Sequence, residues 1–307
     1  MSWQETLVQQ LINGLSLGMV YALIALGYTM VYGIIQLINF AHGEVFMVGA
    51  YLGLSVLLAL GISSPPAGIF LVLASFLIFA VPLAVCGLLG VGIEKAAYRP
   101  LRYSPRLAPL ITAIGMSFFL QNAVMLIYGP AHRGFPPLLQ VKQYTLFGSA
   151  VITNIQLLIF TVSLLLMIFL HTFVKWTRLG KALRATSQDL KAASLMGINV
   201  DRIISLCFLL GSSLGAAGGV MYGMYYGRIS FFDGYLVGIK AFTAAVLGGI
   251  GNIPGAMLGG ILLGLTEGLG AGYLSSQWKD AYAFCILVLL LLFKPTGLLG
   301  ERLSTRS

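Results

Sequence analysis

Stretches of roughly 20 consecutive apolar residues return from one end of this chain to the other, and no other feature restricts its folding so severely. Such a stretch, as a helix, spans a hydrocarbon layer of about 30 Å. Inside that layer each segment must satisfy its own backbone hydrogen bonds, which leaves helices or closed barrels. A barrel needs alternating segments of about 10 residues, and the sequence has none. Hydrophobic residues make up 58% of the chain and charged residues 9%, against about 25% charged in a soluble domain. The fold class expected is therefore all-α: a polytopic integral membrane protein with about 8–10 transmembrane helices, forming one domain over residues 1–307.

The apolar segments fall near 7–31, 44–62, 67–93, 108–128, 151–174, 203–226, 236–250, 254–272 and 281–293. Residues 236–250 are short for a crossing, and "GIIQLINFAHGE" (33–44) reads as a broken or re-entrant piece. Basic residues occupy particular loops: Lys95, Arg99, Arg102 and Arg106; then Lys175, Arg178, Lys181, Arg184, Lys191 and Arg202; then Lys294, Arg302 and Arg306. Loops this rich in Lys and Arg stay on the cytoplasmic side. Two crossings separate the first two loops, and four must follow residue 202. Three crossings before residue 94 place the N-terminus outside; a fourth near 33–44 places it inside.

The net charge of +9 does not mark a nucleic-acid binder, because no Lys or Arg precedes Lys95 and the basic residues thereafter cluster mostly between apolar runs. Cys86, Cys207 and Cys285 each lie alone in an apolar run and read as small buried hydrophobes rather than a metal or disulfide set. The N-terminus has no basic region or cleavage pattern of a removable signal. No phosphate-binding loop occurs, since the only Gly-Lys pair, Gly180–Lys181, is followed by Ala. "GSSLG" (211–215) fits a nucleophile elbow, but Ser213 lies within a spanning helix and His42, His132 and His171 all read as lying away from mid-span. His42 and Glu44 are too few to argue a metal site.

Polar groups at membrane depth carry more information, because placing them there is costly. Asn39, His42, Glu44, Gln121, Asn122 and Glu267 are the candidates for lining a path, each balanced against a plain interhelical hydrogen bond. Glycine recurs at every fourth position over Gly211, Gly215, Gly219, Gly223 and Gly227, again over Gly251, Gly255 and Gly259, and with Ala22 over Gly14 and Gly18. Such smooth faces let helices approach closely in lipid, within the subunit or against a partner.

Residues 175–202 break the apolar pattern with mixed charge. Within them Leu183, Thr186, Leu190, Ala193 and Gly197 share one helical face, and Lys181, Arg184, Gln188 and Lys191 another. This predicts one short helix over 180–199, either lying on the headgroups or docking its small, weakly hydrophobic surface into a groove on another protein.

"KAASLMG" (191–197) resembles the Ala-Ala-x-x-x-Gly loop by which permease subunits of ABC importers grip their ATPases, with Lys191 where Glu usually stands. "NGLSLGMVYALIALGYTMVYGIIQLINFAHGEVFMVGAY" (13–51), "IEKAAYRPLR" (93–102), "AIGMSFFLQN" (113–122), "LKAASLMGINVDRII" (190–204), "KAFTAAVLGGIGNIPGAMLGG" (240–260) and "KPTGLLG" (294–300) resemble the LivH-type permease of bacterial branched-chain amino acid importers. The resemblance covers nearly the whole length and is weakest around 129–150. It implies a multi-pass subunit of the bacterial inner membrane, not an enzyme, with no cofactor of its own. It further implies a homologous second permease, two cytoplasmic ATPases that bind the ATP, and a periplasmic amino-acid-binding protein. Leu190, Lys191, Ala192, Ala193, Gly197 and Ile198 would then form the ATPase-coupling site. Urea and short-amide permeases share "GLSLG" and "N-x-A-H-G-E"-like strings, so another small solute remains an alternative, as, more remotely, does an intramembrane enzyme.

Overall fold

The long apolar runs become helices whose faces are greasy all round, and the most glycine-rich of them occupy the centre, where thin helices pack closest. A computed structural model describes residues 3–300 apart from Tyr103, Arg106 and Pro295, so the basic residues Arg106, Arg302 and Arg306 lie outside the described residues. Eleven α-helices follow in order among these: α1 (Trp3–Ile35), α2 (Ala41–Ala59), α3 (Gly68–Ile93), α4 (Leu107–Tyr128), α5 (Asn154–Trp176), α6 (Arg178–Gln188), α7 (Leu190–Leu195), α8 (Val200–Tyr226), α9 (Asp233–Gly248), α10 (Ile253–Tyr273) and α11 (Lys279–Phe293). A π-helical turn, Glu94–Tyr98, prolongs α3. Four short strands, β1 (Arg133–Gly134), β2 (Gln143–Phe147), β3 (Ala150–Thr153) and β4 (Arg228–Ile229), form two small antiparallel pairs, β1 with β4 and β2 with β3. Among the described residues, eight helical segments are long and apolar enough to cross a membrane, α9 being the short addition to them. The chain is a multi-pass, all-α membrane protein.

Of the two suspect segments, 33–44 contains a break, whereas 236–250 forms most of the short helix α9, which follows a second break. Between α1 and α2 the backbone leaves the helix over residues 36–40, with Gln36 at φ 52°. Between α8 and α9 it turns at Gly227, φ 66°, and runs extended before α9 begins. The resulting short helices meet N-terminus to N-terminus: a Cβ on Gly43 would lie 2.8 Å from Gly238 Cα. Only glycine admits that approach.

The arrangement around this meeting point repeats. α1 packs along α10 as α8 packs along α3; α1 meets α9 as α2 meets α8; α2 joins α3 and α4 as α9 joins α10 and α11. The match reaches single residues. Gly14 and Gly18 of α1 lie against Gly264 of α10, and Phe208 and Ser212 of α8 lie against Gly90 of α3. The first four helices and α8–α11 are thus two halves of opposite orientation, with the β2–β3 hairpin and α5–α7 inserted between them. The repeat has a faint sequence trace: Met-Val-Tyr-Gly (30–33) and Met-Tyr-Tyr-Gly (224–227) precede the two breaks, and His42–Gly43 and Asp233–Gly234 follow them.

The two ends of the bundle are told apart by contacts between loops. At one end Ser149 Oγ donates to Glu5 Oε2 at 2.9 Å, and the Tyr273 hydroxyl donates to the Trp3 carbonyl at 3.1 Å. At the other, Arg102 Nη1 donates to Asp201 Oδ1 at 2.6 Å, joining the first basic loop to the second. The start of α1 therefore lies opposite the basic loops, as three crossings before residue 94 require. The glycine faces serve packing inside the subunit: Gly211 lies against Gly27, Gly219 against Phe46 and Ala50, Gly223 against Phe135. One cysteine departs from expectation. Cys86 and Cys207 are buried, whereas Cys285 is exposed on the outer face of α11, a helix that buries only Ala283.

Candidate functional site

The basic loop and the buried polar groups are two separate regions. In the loop, the expected single helix over 180–199 is two helices. Asp189 takes an extended conformation, and its Oδ1 accepts from the Lys191 and Ala192 amides at 2.8 and 3.0 Å, capping α7 and ending α6. Asp prefers such a cap to a helix interior, and that local preference overrides the continuous periodicity. α7 then stops at once: Gly197, φ 81°, donates to the Ser194 carbonyl at 3.0 Å, and Ile198 N donates to the Ala193 carbonyl at 3.1 Å. This is the paired bonding of a left-handed helix stop, which glycine adopts without strain.

The six residues expected to couple therefore divide. Ala193, Gly197 and Ile198 build the stop, with Ala193 buried against the bundle. Leu190, Lys191 and Ala192 face outward, joined by Leu195 at 87% and Met196 at 83% exposure. The tip is accordingly more apolar than the expected surface of small residues. Leu183 and Thr186 seat α6 on the bundle. The chain enters α8 at Asn199, whose Oδ1 caps the Arg202 amide at 3.1 Å. Two turns of helix are thus bolted rigidly onto the root of α8. A charge cluster ties the same root to α3: Arg102 Nη2 lies 3.1 Å from Glu94 Oε1, and Ser205 Oγ donates to Glu94 Oε2 at 2.8 Å. Glu94 is fully buried there.

Among the buried polar candidates, His42 is misplaced by sequence reasoning. It lies inside the bundle, its ring 4.8 Å from that of Tyr28 and packed beside Gly27 and Gly215. The break after α1 lets α2 begin within the bundle, so a residue near a loop by sequence sits deep in the protein. Glu44 is buried beside it, and Ser117 Oγ of α4 donates to its Oε1 at 3.2 Å. His42 Nε2, Glu44 Oε2, Thr29 Oγ1 and the Tyr51 hydroxyl have no hydrogen-bond partner among the described residues. Asn39 Oδ1 accepts from the Tyr98 hydroxyl at 2.9 Å, holding the break to the end of α3. Gln121 is buried, whereas Asn122 is exposed on the outer face of α4 and donates back to the Phe118 carbonyl at 2.7 Å. Asn122 is not brought to this group.

Glu267 finds the basic partner that the sequence did not reveal. Lys240 Nζ lies 2.7 Å from Glu267 Oε1 and 2.6 Å from Asp280 Oδ1, and the Tyr21 hydroxyl donates to Glu267 Oε2 at 2.9 Å. Four helices, α1, α9, α10 and α11, meet in this cluster. A lysine inside the apolar run 236–250 was the available signal. Ser213, the elbow serine, donates to the Leu83 carbonyl at 2.8 Å and serves to join α8 to α3.

Comparison with known proteins gives these regions a context. A family model described as branched-chain amino acid transport system / permease component matches residues 10–293. The chain is 52% identical over 300 residues to the high-affinity branched-chain amino acid transport system permease protein BraD of Pseudomonas aeruginosa, covering 96% of each chain. It is 49% identical over 297 residues to the corresponding protein LivH of Escherichia coli, again over 96% of each. A probable branched-chain amino acid transport permease protein LivH of Methanocaldococcus jannaschii is 28% identical over 295 residues, or 91% of this chain and 88% of that one. No solved structure matches significantly. With its family model spanning the helical bundle from α1 to α11, the chain belongs to the family of branched-chain amino acid transport system permease components.

Proposed function

We propose that this chain is the transmembrane permease subunit of an ATP-driven importer that carries leucine, isoleucine and valine from periplasm to cytoplasm across a bacterial inner membrane. The observation that carries the reading is identity of about half, extending over 96% of both chains, to two permeases named for these amino acids. The basic loops are its cytoplasmic side and the hairpin end its periplasmic side. Its partners are a homologous permease, two ATPases and a periplasmic binding protein. The ATPases bind the ATP, and this chain performs no bond chemistry.

Leu190, Lys191 and Ala192, with Leu195 and Met196, form an apolar, basic-edged tip of the size that fits a groove on an ATPase. Ala193, Gly197 and Ile198 keep that tip rigid. A push on the tip passes to α8 through Asn199 and to α3 through the Asp201–Arg102–Glu94 cluster. α8 in turn carries the glycine face on which α1 and α2 rest. Asn39, His42, Glu44 and Gln121, buried polar groups of the first half, line the path in this reading.

Reconstituted vesicles holding the chain and its four partners test the reading. ATP-dependent accumulation of labelled leucine is expected. Accumulation of urea in its place, or leucine movement without the ATPases, overturns it.

A further inference from the structure

The Lys240 cluster is expensive where it stands. A buried ion pair seldom contributes net stability against apolar packing, and ionisable groups within spanning segments are kept for a task. Its inventory is unbalanced: one lysine, whose side chain is 6% exposed, faces two carboxylates, Glu267 at 2% and Asp280 at 46% exposure. An ammonium has three N–H donors. Two are directed at Glu267 and Asp280, which leaves one for a further acceptor. Glu267 is buried with each of its oxygens already accepting, from Lys240 and Tyr21, whereas Asp280 is half open and free to accept from a group arriving there. The cluster thus offers one donor and one anionic acceptor side by side, the complement of a free amino acid's carboxylate and ammonium.

A second observation, independent of the first, lies next to it. A cavity of about 640 Å³ opens between α1, α5, the hairpin and the end of α8. Among the described residues no charged side chain lines it: Gln9, Asn13, Gln156 and Tyr225 supply amides and a hydroxyl among Leu138 and Met224. Such a lining suits an aliphatic side chain and leaves a zwitterion's charges unmatched. The wall residues Gln9 and Asn13 of α1 flank Gln10 and Gly14, against which Gly268, the neighbour of Glu267, packs. The cavity and the cluster thus meet the same helix, α1, from two sides.

We propose that Lys240 and Asp280, braced by Glu267 and Tyr21, are the intramembrane subsite that holds the α-carboxylate and α-ammonium of the transported amino acid after it passes the cavity. The proposal rests on the import reading above and adds the residues that recognise the substrate within the bilayer. Lys240 receives the carboxylate on its third donor, and Asp280 turns to the ammonium, so that α11, which buries little else, is freed from α9 as substrate enters.

The test is equilibrium binding of labelled leucine to the purified transport complex without its binding protein. Wild type is expected to bind, and 4-methylpentanoate and 3-methylbutylamine, each lacking one charge, to compete at least roughly tenfold less well than leucine. Asp280→Asn is expected to weaken binding roughly tenfold or more. The double variant Lys240→Met/Glu267→Gln removes both buried charges together, so that neither is left uncompensated. It is expected to reach the membrane at normal level and thermal stability and to lose leucine binding. Leucine binding by that variant at wild-type affinity overturns the proposal, as does equal competition by either single-charge analogue, or absence of leucine binding to wild type. Because ATP-driven uptake by the wild-type complex is scored separately, failure here is distinguishable from failure of the import reading.

Discussion

At the scale of single residues, Gly197 and Ser213 give opposite expectations. Gly197 has open space around the position of a Cβ, so a substitution meets no neighbour, but its left-handed backbone penalises any side chain. Gly197→Ala is expected to cost about 1–2 kcal/mol in the local stop and to loosen the α7 tip. Uptake should fall several-fold while the affinity of the binding protein for leucine, measured by titration of that protein alone, stays unchanged. Ser213→Ala removes one hydrogen bond worth about 0.6 kcal/mol in a membrane interior. Transport of leucine should persist in whole-cell uptake, and its complete loss would revive an enzymatic role for the serine. What was legible at this scale was residue type rather than partner. Glu267 stood out as a carboxylate in an apolar run, yet Lys240, 27 positions earlier in chain order, joins it only because α9 and α10 pack side by side. His42 was misread because the depth at which α2 begins depends on the break before it, not on the run of residues around it.

At the scale of helices, close backbone approach is the main bond of the central bundle, and glycines differ sharply in how much they matter to it. A Cβ on Gly14 would stand 2.7 Å from the Gly264 carbonyl, and Gly264 answers from the other side. Gly115 of α4, by contrast, has nothing within 4 Å. Gly264→Leu should part α1 from α10 and cost about 1–3 kcal/mol or more, seen as a lowered midpoint in thermal unfolding of the detergent-solubilised protein. Gly115→Leu should leave the midpoint unchanged within about 0.5 kcal/mol. Most helices were readable because hydropathy alone decides which segments enter a bilayer, and the break near 33–44 and the shortness of α9 were readable because the runs there are too polar or too short. The split of 180–199 was not. Periodicity carried straight through Asp189, and the side chain that ends α6 does so by a local bond that a periodic pattern does not register.

For the molecule as a whole, the contact of Glu5 with Ser149 and of Arg102 with Asp201 sets the hairpin and the α7 tip on opposite sides. With the exposed Cys285 replaced by Ala, Val141→Cys should react with a membrane-impermeant maleimide in intact spheroplasts, and Ser194→Cys only after lysis. Labelling of both in intact spheroplasts would invert or abolish the assigned orientation. The doubling of the bundle has a consequence of its own. Four helices and their inverted counterparts share one topology but occupy unequal surroundings, since only the first set is followed by the inserted hairpin and α5–α7. If each set were to assume the outline now held by the other, the shape that the bundle shows at its hairpin end would move to the far end. A single polypeptide therefore already contains the blueprint of its reverse-facing form.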